Sequence, residues 1–98
     1  DLRAILPRVN LSGANLSRTN LSSAYLQNAN LQNADLNGTL LQQADLSGVN
    51  LSHANLNAVN LTRAELNAVK VEKARFINVV GVSAQVQLEF QQQGAIFD

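Results

Sequence analysis

The sequence predicts an all-β solenoid. The chain should coil through four corners every 20 residues, about four coils high, and close at its C-terminal end with a short α-helix. Three observations lead there. An apolar residue recurs every five positions without a break from Leu6 to Phe76. The small residue two positions before each one sorts by type with a period of 20. The pattern then stops near Gly81 and gives way to a Gln-rich segment with helix-end signals.

The five-residue period comes first, because it excludes the ordinary elements. Leu6, Leu11, Leu16 and so on to Leu66, then Val71 and Phe76, make fifteen consecutive matches. A helix repeats near 3.6 residues and a strand near 2. On a helix, steps of five bury no single face. On one extended strand, successive leucines would point to opposite sides. The pattern works if the chain turns a corner every five residues, so that each leucine points at a common axis. Four corners make a square coil, and the next coil stacks on it at strand spacing, roughly 4.8 Å.

Columns twenty apart test this. Positions 4, 24, 44 and 64 are all Ala, as are 14, 34, 54 and 74. The other two columns are bulkier: Val9, Ala29, Val49, Val69, and Thr19, Thr39, Val59, Val79. A plain pentamer repeat would not sort its substitutions by twenty. Alternation of large and small residues is how narrow β interiors fill.

Each corner follows its leucine. The second residue after it is Gly or Asn at Gly13, Asn28, Asn33, Gly38, Gly48 and Asn78. These tolerate the positive φ that a type II turn requires at its third position. Pro7 suits the second position. Arg8, Arg18, Arg63, Ala58 and Ala68 are poor residues for positive φ, and another turn type is expected at those corners. Asn or Asp before most leucines can bond corner backbone or stack in ladders between coils, as in the column Asn10, Asn30, Asn50.

The runs Ala14-Asn15-Leu16-Ser17-Arg18, Ala29-Asn30-Leu31-Gln32-Asn33 and Ala54-Asn55-Leu56-Asn57-Ala58 resemble the A-[D/N]-L-x-x signature of pentapeptide-repeat proteins. Fifteen tandem copies over three-quarters of the chain carry that resemblance. It implies a right-handed quadrilateral β-helix of a family abundant in cyanobacteria and other bacteria, most of whose members have no assigned activity.

Two segments are expected: a repeat body over 1–81 and a C-terminal cap over 82–98. In 82–93, Val82, Ala84, Val86, Leu88 and Phe90 alternate as a strand would. Val82, Val86 and Phe90 also share a helical face, Ser83 suits an N-cap, and Gly94 suits a helix end. The glutamines favour helix over strand. The tail Gln92-Gln93-Gly94-Ala95-Ile96-Phe97 resembles the C-terminal helix and tail of some cyanobacterial members. We take the segment as a helix over the last coil, burying Val86, Phe90 and Phe97.

Composition narrows function. The chain has 98 residues, seven Lys plus Arg, seven Asp plus Glu, no Cys and one His. Absent cysteine excludes disulfides, thiolate metal sites and thiol nucleophiles. Zero net charge gives no general pull toward nucleic acid or anionic lipid. No apolar run approaches the roughly 20 residues of a membrane helix. No signal peptide opens the sequence, so a cytoplasmic location is expected. The missing initiator Met suggests trimming or excision from a longer chain.

Catalysis is not expected, and no catalytic, cofactor or metal residue is assigned. Ser12, Ser17, Ser22, Ser47, Ser52 and His53 fall at corners the fold dictates, and no spacing supplies a base or orienting acid. Asp45 and Glu65 share a column, with Arg63 near, but a surface acidic pair is usually just solvated. The expected role is a structural or protein-interaction module. Its flat polar faces would meet a protein partner that the sequence does not identify, and the uncapped N-terminal coil (Leu2, Ile5, Tyr25) would pair in a homodimer or with an upstream chain segment. The alternative is a DNA mimic acting on gyrase, as the family resemblance allows. Zero net charge, short length and the scattered basic residues, including Lys70, Lys73 and Arg75, weigh against it.

Overall fold

The computed structural model describes residues 3–98. Its backbone pairs with itself at a constant offset. Ile5 lies beside Tyr25, Asn10 beside Asn30, Asn15 beside Asp35 and Asn20 beside Leu40, all parallel and all 20 residues apart. The same columns continue upward through Asp45 to Glu65 and through Asn60 to Val80. The chain is therefore a β-helix of 20-residue coils, measuring 35 × 24 × 23 Å with its cap.

Most pairings are single residues, because a turn interrupts the chain every five positions. Two coil segments are long enough to be strands: β1 (Asn55–Asn57) and β2 (Arg75–Ile77). They pair in register, Leu56 beside Phe76.

Each level is tied to the next by a fixed hydrogen-bond set. Leu31 N–H donates to Asn50 O, Asn33 N–H to Ser52 O, and Asn50 N–H back to Ala29 O. Within a corner, Ala34 N–H donates to Leu31 O.

The corners correct one expectation. All fifteen third positions have positive φ: Gly13, Gly38, Gly48 and twelve non-glycine residues. Arg8, Arg18, Ala58, Arg63 and Ala68 do not use another backbone; their φ values are 59–61°. The ladder explains why at Arg8, Arg18 and Ala58, whose N–H groups bond the next coil; Arg63 and Ala68 keep the same turn without that bond. In the ladder the third residue aims its N–H at the coil above, as Arg8 does to Gln27 O and Arg18 to Asn37 O. An interlevel bond outweighs the roughly 1–2 kcal/mol that a left-handed conformation costs a side-chain-bearing residue.

The interior is continuous. Leu26, Leu36, Leu46 and Leu56 are fully buried, as are Ala24, Ala44 and Ala54. Thr39 is the one buried polar residue of the described core, and its hydroxyl donates to Leu16 O. Contacts run between adjacent coils, the condition for near-additive stability along the axis.

The cap forms as a helix. α1 spans Ala84–Gln92, and the Ser83 hydroxyl accepts from Val86 N–H at its start. Gly94, at φ 97°, follows the helix end. Of the three residues expected to bury, Phe90 is buried, while Val86 and Phe97 are half-buried. The tail holds a strand that was not foreseen. β3 (Ile96–Phe97) pairs parallel with β2, Phe97 beside Phe76, and begins a fifth coil. Phe97 stacks on Phe76 at 4.7 Å, and Phe90 meets the same ring at 5.6 Å.

Candidate functional site

Because leucines fill the axis, the surface consists of corners, outward columns and two ends. The Asn and Asp before each leucine act at the corners. Asn10, Asn15, Asn20, Asn30, Asp35, Asp45, Asn50 and Asn60 each accept, through Oδ1, the N–H two residues ahead. This is the Asx turn. Of the two uses expected for these residues, corner bonding is the one their side chains make.

The serines sit in that same machinery. Ser12 and Ser52 give their N–H to Asn10 and Asn50, and Ser17 adds its hydroxyl to Asn15. His53 is an exposed corner residue at φ 61° whose N–H donates to Glu72 O. Among the described residues, no three His, Cys, Asp or Glu side chains converge as a metal site would need. No described helix is long and apolar enough to cross a membrane.

Asp45 and Glu65 are brought together in one outward column, as expected. They are not equivalent. Ser47 donates to the Asp45 carboxylate, which is held below its ordinary value of 3.8; the Gln27 amide, at 3.1 Å, adds to this while partial burial opposes it. Glu65 is exposed and accepts only a long bond from the Asn67 amide. The Asp45 carboxylate is engaged by Ser47 and Gln27, whereas Glu65 keeps only that one long bond.

Two places depart from the regular wall. The first is the N-terminal end. Leu6, Leu11 and Leu16 are half-buried, whereas Leu26, Leu31 and Leu36 are sealed. Ile5 and Tyr25 form the expected outward column and are exposed. Arg3 lies over the Tyr25 ring at 5.2 Å and donates to its hydroxyl at 2.8 Å. Leu2, also expected here, lies outside the described residues. Leu40 is outward and exposed in a second column with Val80.

The second place is a cavity of about 330 Å³ between the last coil and α1. Arg63 to Asn67 floor it, and Val86, Glu89 and Phe90 of α1 wall it. Sequence reading missed it, since a pattern that predicts a cap does not say how completely the cap covers.

Comparisons agree with this architecture. A search of curated proteins finds no match. Among solved structures, the chain resembles the pentapeptide repeat protein alr5209 of Nostoc PCC 7120, with 34% identity and a TM-score of 0.88. That match covers 98% of this chain and 78% of the other. A pentapeptide repeat protein of the Arabidopsis thaliana thylakoid lumen matches with 27% identity and a TM-score of 0.79, over 83% of this chain and 56% of that one. The family profile for pentapeptide repeats matches eight copies over residues 4–43 and 44–80. Periodic leucines, 20-residue ladder and profile coincide over the same span, and the chain belongs to the pentapeptide repeat family.

Proposed function

We propose that the protein is a non-catalytic scaffold and protein-interaction module of bacterial type, built as a right-handed quadrilateral rod. One observation carries this reading: the polar side chains that recur along the chain, the Asn and Asp before most leucines, are engaged by the fold's own corners. The Asx acceptors hold corners, the serines complete them, and the axis is packed with leucine. What remains for another molecule is shape, hydrogen-bonding edges and two ends.

The N-terminal coil is one contact surface on this reading. Its half-buried Leu6, Leu11 and Leu16 and its exposed Ile5 would seal against another β-coil, from a second copy or from a segment stacked below. Sedimentation at increasing concentration tests the self-pairing form. A dimer that dissociates when Leu11 is replaced by Lys supports it, and a strict monomer throughout removes it. Affinity capture with the full chain as bait, followed by an enzymatic screen of the purified protein, tests the wider reading. Turnover of any substrate would overturn it.

A further inference from the structure

The cavity beside α1 is a gap in a hydrogen-bond ladder. One level below it, Glu65 N–H donates to Ala44 O, while Leu46 and Gly48 N–H donate to Glu65 O and Asn67 O. One level above, the corresponding partners are missing. The chain leaves the coil at Gly81, whose added Cβ would run into the backbone of Leu61 and Thr62. Residues 82–93 then fold around α1 instead of extending the wall. Among the described residues, no backbone carbonyl accepts from Leu66 or Ala68 N–H, and no N–H donates to Ala64 O.

The side chains show the same gap. Ala44 and Leu46 are fully buried, while Ala64 and Leu66, their equivalents one coil on, are only half-buried. An open edge with free donors and acceptors is a template for an added strand. The register is dictated by the coil below. A residue placed beside Glu65 would give its N–H to Ala64 O and accept from Leu66 N–H. The next residue's side chain would point inward over Leu66, toward Val86 and Phe90. The carbonyl after that would accept from Ala68 N–H.

Charge selects the occupant. Glu65 and Glu89 line the cavity with a single cation, Arg63. The hydrogen-bond partners of both carboxylates are neutral amides, from Asn67 at 3.5 Å and Gln85 at 3.4 Å. Opposite charges side by side on neighbouring strands attract, and like charges repel. We propose that this cavity docks an extended peptide as a parallel strand, with a basic residue beside Glu65 and an apolar residue following it over Leu66. The proposal rests on the protein-interaction reading and names the chemistry of one partner.

The test is a nitrogen-15 NMR titration of the full chain with the blocked peptide acetyl-Ala-Lys-Leu-Ser-Gly-amide. Saturable shifts of the Leu66 and Ala68 amides are expected. The peptide with Glu in place of Lys should bind about fivefold more weakly, on the scale of one cross-strand charge pair. Methylating the lysine's backbone nitrogen should weaken binding by a similar factor, since it removes the donor to Ala64 O. Glu65→Lys, at an exposed site, should keep the melting temperature and reverse the Lys-over-Glu preference. Unmoved Leu66 and Ala68 amides at millimolar peptide would mean the cavity holds water alone and would overturn the proposal. Equal binding of the Lys and Glu peptides, or full binding of the methylated one, would overturn it too. Shifts confined to the first coil would sink this site while leaving the interaction reading standing.

Discussion

At a single corner, the residue identity and the backbone it must adopt are in partial conflict. Ala58 and Ala68 hold φ near 60° with exposed side chains, and the one bond involved, Ala58 N–H to Ile77 O, is one that glycine would keep. Ala58→Gly and Ala68→Gly should each stabilise the fold by about 0.5–1 kcal/mol, the relief of left-handed strain less glycine's extra unfolded freedom. Urea melts would show a higher midpoint with an unchanged slope. Asp45 gives a pH signature at the same scale. Its folded pKa lies below 3.8, so its contribution is complete above the unfolded value and is lost as pH falls through the folded one. Thermal melts between pH 7 and pH 2 should show a steeper acid limb for the wild type than for Asp45→Asn. That variant keeps the corner, because Asn fills the same role at Asn10 and Asn50.

At the level of elements, the cap depends on a ring sandwich. Phe76 is fully buried at the axis, with Phe97 of β3 stacked on it and Phe90 of α1 tilted against it. Phe76→Leu restores the residue used at most axial positions but removes both ring contacts. It should cost about 2 kcal/mol. Hydrogen exchange should quicken first at Ile96 and Asp98, whose N–H groups donate to Ala74 O and Phe76 O. Ser83→Ala should cost about 1 kcal/mol, as loss of an N-cap does, and slow-exchanging amides of the second and third coils should be unaffected. The two ends of the cap differed in how readable they were. Ser83 and Gly94 are local signals, so α1 could be placed from them. Ile96 stands twenty residues after Phe76, yet it is Phe97 that pairs with Phe76, so the strand does not follow the register of the repeat. Their conformation comes from the ladder of β2 beneath, which is tertiary.

Across the whole molecule, the repeat was legible because every level states the same rule. The leucine period fixed the corners and the twenty-residue columns fixed the stacking. The positive φ at Arg8, Arg18 and Ala58 was not legible, because a propensity that disfavours it was overruled by a bond to the next coil. The cavity over Leu66 was hidden for a related reason. It arises where the repeat stops, and a repeat carries no information about its own interruption.

The central claim is the twenty-residue stacking of every coil, and nuclear Overhauser contacts test it most directly. The amide proton of Leu31 should lie close to the Leu51 α-proton, and the Leu36 amide close to the Leu56 α-proton, because each amide donates at 2.8 Å to the carbonyl just before that residue, Asn50 O and Asn55 O. Cross-peaks at that offset through the second and third coils are the predicted result. Their absence, with contacts instead at helical offsets of three and four residues through 26–60, would contradict the account.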